Sequence, residues 1–160
     1  MMRTQTQYLS VCLPMLVAAS LTLHAQQVTR CSSEGEVCKA GKDHIVFYGA
    51  NGKWNARSLQ GPIACSSEVF GGDPAPGAGK ACYLASGLPE ACGSEGKLCR
   101  TPPRTRRVFV YGANGVYFAK EVRGAVACTS PTFGADPVPG VQKSCYLLPF
   151  PDFEHATAGH

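Results

Sequence analysis

Ile45-Val46-Phe47-Tyr48-Gly49-Ala50-Asn51-Gly52-Lys53-Trp54-Asn55-Ala56-Arg57-Ser58-Leu59 is the stretch from which the fold is read. The chain gives it again as Val108-Phe109-Val110-Tyr111-Gly112-Ala113-Asn114-Gly115-Val116-Tyr117-Phe118-Ala119-Lys120-Glu121-Val122. In each, a short apolar or β-branched run meets Asn-Gly, and a second run follows. Both turn residues tolerate positive φ, so Asn-Gly between two such runs specifies a tight hairpin. Residues 63–65 and 126–128, then 81–84 and 144–148, read as further strands. Residues 70–77 and 133–140 hold Asp-Pro, Pro and Gly and read as ordered loops. No segment shows helical periodicity over ten residues. The expected class is all-β and antiparallel.

Outward from the hairpins, residues 31–84 and 92–147 are two copies of one unit. Besides the hairpin they share Glu34-Gly35 and Glu95-Gly96, Phe70-Gly71 and Phe133-Gly134, Asp73-Pro74 and Asp136-Pro137, Lys80 and Lys143, and four cysteines each. A two-residue insertion after Cys99 breaks the register. The plan expected is a signal peptide at 1–25, a first module at 26–84, a linker at 85–91, a second module at 92–148 and a tail at 149–160. Phe150 and Phe153 of the tail are expected to pack back on the second unit, and residues 156–160 to be disordered.

The start has the marks of a secretory signal: Arg3, an uncharged apolar stretch over 8–23, and Ala25 before the cut. Pro14 interrupts the apolar run, which is short of the ~20 residues of a membrane span. Cleavage removes Cys12 from the nine cysteines and leaves eight, an even number that reads as a disulfide framework in an oxidising compartment. The six residues between Cys31 and Cys38, and between Cys92 and Cys99, do not match zinc-knuckle spacing, and no metal or cofactor is expected. Within a unit three connectivities are open. The favoured one joins Cys31 to Cys38 and Cys65 to Cys82, and Cys92 to Cys99 and Cys128 to Cys145. Units of this size have marginal cores, so each bridge would matter, at about 2–4 kcal/mol. After cleavage 14 Lys+Arg face 11 Asp+Glu, a net charge of +3, too mild to argue for nucleic acid.

The series Cys…Glu-Gly…Cys…Tyr-Gly-Ala-Asn-Gly…Cys…Phe-Gly-x-Asp-Pro-x-Pro-Gly-x-x-Lys-x-Cys resembles a four-cysteine module of bacterial secreted proteins. That module is uncharacterised and often stands beside carbohydrate-active or adhesion domains. The closing segment from Cys65 to Cys82 also resembles the end of another small secreted cysteine domain of unknown function. Both look, at a distance, like βγ-crystallin units, which implies Greek-key β domains. Crystallin units carry a glycine seven residues after the aromatic, where Asn55 and Phe118 stand here, and the calcium signature is missing. Calcium is not carried over.

Glu34, Glu95, Asp73 and Asp136 are the carboxylates common to both copies. A pair ~5–10 Å apart would suit a glycoside hydrolase. The plainer readings are Glu-Gly in a tight connection accepting backbone N–H bonds, and Asp-Pro opening an Asx-turn. Lys80 and Lys143 read as partners of Asp73 and Asp136 across the loop, or as contacts to an acidic sugar. Arg104, Arg106 and Arg107 read as a solvated basic run. Tyr48, Tyr111, Phe70 and Phe133 read as core. Trp54 and Tyr117, just past the Asn-Gly turns, are either core aromatics or sugar platforms displayed at the hairpin tips, with Asn51, Asn114, Asp73 and Asp136 bonding hydroxyls.

The expected function is therefore a secreted, non-enzymatic binding module whose ligand is a polysaccharide or cell-envelope glycan. The alternative is a structural or protein-interaction protein, an inhibitor or effector, on the cross-linked scaffold. No catalytic residue, nucleic-acid partner or membrane span of the mature chain is expected. Intact mass of the exported protein is expected to show a chain starting at Gln26 with eight cysteines. None of them should alkylate without reduction, and peptide mapping should find no bridge between the repeats.

Overall fold

The computed structural model describes residues 28–89, 91–102, 104–148 and 153. The signal segment at 1–25, Phe150 and residues 156–160 lie outside them. The first copy supplies β1 (Val28–Ser33), β2 (Val37–Ala40), β3 (Ile45–Ala50), β4 (Lys53–Ser58), β5 (Gly61–Ala64), the single helical turn α1 (Ser67–Phe70) and β6 (Ala81–Ala85). The second supplies the same series: β7 (Ala91–Ser94), β8 (Leu98–Cys99), β9 (Arg106–Ala113), β10 (Val116–Arg123), β11 (Val126–Ala127), α2 (Ser130–Phe133) and β12 (Ser144–Leu147). The all-β class holds, and every strand pair is antiparallel. β6 and β7 take the first and last residues of the 85–91 linker.

Both hairpins turn where Asn-Gly predicts. Asn51 and Asn114 have φ of 52° and 51°, and Gly52 and Gly115 have φ of 75° and 78°. Positive φ at both central residues matches the twist of the flanking strands, so the two-residue turn closes without splaying them.

The copies meet through these hairpins. One eight-stranded sheet runs β1-β6-β3-β4-β10-β9-β12-β7, so its central seam joins β4 of the first copy to β10 of the second. Phe118 lies opposite Asn55, flanked by Ala119 opposite Trp54 and Tyr117 opposite Ala56. Asn55 and Phe118 are the same position of the repeat, as are Trp54 and Tyr117, and Ala56 and Ala119. A pseudo-two-fold axis therefore passes through the Asn55–Phe118 pair. Each turn is also tied to the other copy: the Glu121 amide donates to the Gly52 carbonyl (2.9 Å) and the Ser58 amide to the Gly115 carbonyl (2.8 Å).

The sheet is buried on both faces. One face forms a single cluster shared by the copies, including Phe47, Trp54, Ala56, Val108, Val110 and Ala119. The other face forms two separate clusters, one per copy, around Tyr48 and Phe70 and around Phe109 and Tyr111. Over these clusters lie two-stranded sheets, β2 with β5 and β8 with β11. The middle strands β3 and β9 thus alternate between two cores, which is why their sequences are continuously apolar.

In the main sheet β6 lies between β1 and β3, and β12 between β7 and β9. The Glu34-Gly35-Glu36 turn and the Cys31–Cys38 bridge carry the chain out of the main sheet into β2, and β6 takes the place beside β1. One expectation, the place of Phe153, is corrected in part. Its ring packs on Phe47 (4.8 Å between centroids), Trp54 (4.5 Å) and Tyr83 (5.3 Å), all of the first unit, in the cluster that also takes in Val108, Val110 and Leu148 of the second. The shared core continues across the seam, so the tail reaches first-unit rings without leaving it.

Four disulfides join Cys31 to Cys38, Cys65 to Cys82, Cys92 to Cys99 and Cys128 to Cys145, the favoured pairing. Each longer bridge encloses its Phe-Gly-x-Asp-Pro loop. Among the described residues, no helix is long and apolar enough to cross a membrane.

Trp54 is 1% exposed and crosses Gly49 of the paired strand; a Cβ on Gly49 would lie 2.8 Å from the indole Cδ1 and 2.1 Å from the Lys53 carbonyl oxygen. Tyr117 crosses Gly112 in the same way, at 2.7 Å. Glycine in Tyr-Gly-Ala-Asn-Gly is thus the space in which the aromatic lies. Trp54→Ala is expected to cost about 3–5 kcal/mol in urea melts of the oxidised protein. Trp54→Phe should cost less, because among the described residues the buried indole Nε1 has no hydrogen-bond partner to lose.

Candidate functional site

The shared polar residues assemble into one network per copy. In the first, the Lys80 side chain is 5% exposed and its ammonium contacts Glu34 Oε1 (3.1 Å) and Asp73 Oδ2 (3.2 Å). It also donates to the Ala78 carbonyl (2.9 Å). The Tyr48 hydroxyl donates to Glu34 Oε1 and lies 3.1 Å from Ser67 Oγ. Glu34 Oε2 accepts the Lys80 amide (3.3 Å), and Asp73 Oδ1 accepts the Ala75 amide (2.9 Å), closing the expected Asx-turn. The second copy repeats this. Lys143 contacts Glu95 (3.3 Å) and Asp136 (3.2 Å), Tyr111 donates to Glu95 (2.6 Å), and Asp136 accepts the Val138 amide (2.9 Å).

A buried ammonium needs compensation, and two carboxylates and a carbonyl provide it. The Tyr48 hydroxyl, ahead of Lys80, holds the Glu34 carboxyl below its ordinary pKa, against an opposing effect of burial; Tyr111 does the same for Glu95. Burial, then the neighbouring carboxylate, raises the Tyr48 and Tyr111 phenols. Burial alone would lower Lys80, but Glu34 and Asp73 outweigh it and raise its pKa; Asp136 and Glu95 do so for Lys143. These groups anchor the loop that follows α1 or α2 to the β1 or β7 end. The carboxylates that looked most like catalytic candidates are engaged there.

The candidate ligand residues are distributed as follows. Trp54 is not displayed at a hairpin tip. The tip is Asn51 and Gly52, and the next inward-facing position is Trp54, turned into the shared core. Asn51 is exposed and lines a recess of about 330 Å³ with Trp54, Arg30 and Lys80. Tyr117 is half-buried, edge-on to Tyr146 at 6.1 Å, and burial raises its pKa. Asn114 is exposed at the second tip. Asp73 and Asp136 are held by the lysines. Of the basic run, Arg106 pairs with Glu121 (2.7 Å).

Sequence reading missed the cleft that lies on the pseudo-two-fold axis. Its floor is the β4–β10 seam: Lys53, Asn55, Phe118 and Lys120. Strand alternation puts these four on the face opposite Trp54 and Ala119. Its walls are the two Phe-Gly loops, residues 71–74 of the first copy and 131–135 of the second. The volume is about 410 Å³. Cations at matching positions of the two copies reach the walls: Arg57 Nη2 donates to the Phe70 carbonyl (3.1 Å), and Lys120 Nζ to the Thr132 carbonyl (3.4 Å), one residue earlier in its loop. Asn55 Nδ2 donates to the Phe70 (3.3 Å) and Gly72 (3.2 Å) carbonyls. Phe118 is half-buried and offers apolar surface at the position where the first copy has that amide. No family model matches the chain, and no solved structure matches it.

The networks set a pH window. Glu34 and Glu95 have folded pKa values below 4.5, so their contribution is present above pH 4.5 and is lost as pH falls through the lowered values. The phenols and ammoniums are raised above 10.0 and 10.5, so theirs is present below those values and is lost as pH rises past the raised ones. Urea melts should therefore give a plateau between about pH 5 and 10. Tyr48→Phe should lower that plateau by about 1.5–3 kcal/mol, the range for a hydrogen bond to a charged group. Glu34→Gln should flatten the acid limb.

Proposed function

We propose that this protein is a secreted, non-enzymatic binding module, and that its ligand is a polysaccharide or cell-envelope glycan taken in the cleft between the repeats. The observation that carries this reading is the cleft itself. It is built by both copies, on a floor fixed by strand pairing, with walls held by disulfide-closed loops. A rigid β surface with an aromatic side chain flanked by polar groups suits a sugar ring, whose faces are apolar and whose edges carry hydroxyls. The backbone of the glycine-rich walls offers further polar groups to those hydroxyls. The disulfides fit an oxidising compartment such as the cell exterior. The non-enzymatic part is supported by the Glu34, Asp73, Glu95 and Asp136 carboxylates, each occupied by a lysine and matched in both copies.

A second reading, docking to a protein, has one observation in its favour. Val37 and Leu98 occupy the same position of the two copies and are 56% and 51% exposed. Equal apolar positions on equivalent two-stranded sheets would present a partner with a duplicated contact.

A glycan array probed with the oxidised mature protein tests the first reading. Retention of polysaccharides is expected, and Phe118→Ala should weaken it roughly tenfold, the order of losing one aromatic contact. The thermal melt should change little, because Phe118 is only half-buried. No retention of any glycan, with capture of a protein partner that Val37→Ser and Leu98→Ser abolish, would favour the second.

A further inference from the structure

Lys53 and Lys120 stand directly opposite one another on β4 and β10, and both line the cleft. Like charges placed opposite in an antiparallel pair repel and destabilise it. Among the described residues, neither ammonium has a carboxylate within 4.0 Å. The carboxylate that lines the same cleft, Asp73, is paired with Lys80 at 3.2 Å, and neighbouring Glu121 is paired with Arg106 at 2.7 Å. Lys120 has a neutral partner, the Thr132 carbonyl at 3.4 Å.

The duplication separates the two lysines. Lys120 corresponds to Arg57, so a cation at that position belongs to the repeat, where it secures the wall. Lys53 corresponds to Val116, and the same strand forms there with an apolar residue. The unit does not need a lysine at this position to fold. Lys53 adds a repulsive neighbour to Lys120 where the architecture accepts valine, and the cost of that repulsion is relieved when an anion sits between the two.

We infer that the cleft takes an acidic glycan, with an anionic group held between Lys53 and Lys120 and a sugar face against Phe118. This rests on the glycan reading above and specifies its ligand class. The floor is then two-sided: ammonium groups at one end of the seam fix the charged substituent, and Phe118 on the axis takes the ring. Carboxylated and sulfated sugars share the chemistry that two lysines recognise.

Affinity electrophoresis of the oxidised mature protein tests it, in gels containing polygalacturonate, dextran sulfate, neutral dextran or single-stranded DNA. Retardation by one or both acidic glycans and none by neutral dextran is expected. Lys53→Val, which installs the residue of the second copy, should weaken the acidic-glycan interaction roughly tenfold and leave the melt unchanged or raised. Lys120→Gln should weaken it similarly, Lys39→Gln on β2 should not, and salt should compete. Equal retardation by neutral dextran, or Lys53→Val and Lys120→Gln without effect, overturns the acidic specificity while leaving the glycan reading standing. No retention by any polysaccharide here or on the array overturns both, as does retention of DNA matching that of the acidic glycans.

Discussion

The pairing of β4 with β10 about the Asn55–Phe118 pair is the contact around which the molecule is arranged. It places the second strand of each hairpin against its counterpart, so neither hairpin leaves an open edge at the seam. It brings Trp54, Ala56, Tyr117 and Ala119 onto one face, where they join the cores of two small units into one. A unit of this size would bury little apolar surface alone, and the shared cluster gives both a larger interior. On the other face the same register leaves a gap between two capped cores. The cleft is that gap.

Each capped core depends in turn on a buried lysine. Lys80 and Lys143 have lost most of their hydration and are compensated by two carboxylates and backbone carbonyls. An arrangement of this kind gives little net stability over a well-packed apolar one, but removing one partner is costly. Its effect is on geometry. The loop from α1 to β6 has no regular structure of its own, and the network fixes it at Asp73 and Lys80, while the Cys65–Cys82 bridge closes it. Phe70 lies at the start of that loop, stacked on Tyr48 at 5.3 Å, and the second copy matches it with Phe133 on Tyr111 at 5.1 Å. The cleft walls are therefore held from behind by charge, disulfide and stacked rings together.

Much of this was legible in residue order. Asn-Gly between β-branched runs set the hairpins, and their positive φ values follow from it. Repetition of four cysteines, with short and long spacings, suggested a pairing inside each copy, which the fold adopts. Lys80 with Asp73 was legible because both belong to one loop. The burial of Trp54 was legible only in part: Lys53-Trp54-Asn55-Ala56-Arg57 alternates polar and apolar and puts Trp54 and Ala56 on one face, but what covers that face is set by the neighbouring copy. The opposition of Lys53 and Lys120 was hidden for the same reason: it arises from pairing between repeats, and nothing inside one repeat specifies that register. Phe153 follows the second unit in the chain, whereas a core continuous across the seam brings it to Phe47 and Trp54. The missed features are all products of the interface between copies, and local patterns do not encode such an interface.

The seam also shows where duplication has been put to use. Strict symmetry would put identical residues at 55 and 118, and the two would have to share one environment on the axis. Two asparagines there would each serve the carbonyls of their own loop and leave the floor without an aromatic ring, and two phenylalanines would leave the Phe70 and Gly72 carbonyls without that amide. The present pair divides the roles: Asn55 secures the first loop through Phe70 and Gly72, and Phe118 gives the floor its apolar surface. Beside them Lys53 replaces the valine of the second copy. The networks around Lys80 and Lys143, which hold the fold, match between the copies, while the differences at 53/116 and 55/118 fall on the floor of the cleft. That contrast sets the networks that hold the loops in what the repeats share, and the make-up of the cleft floor in part in what they do not.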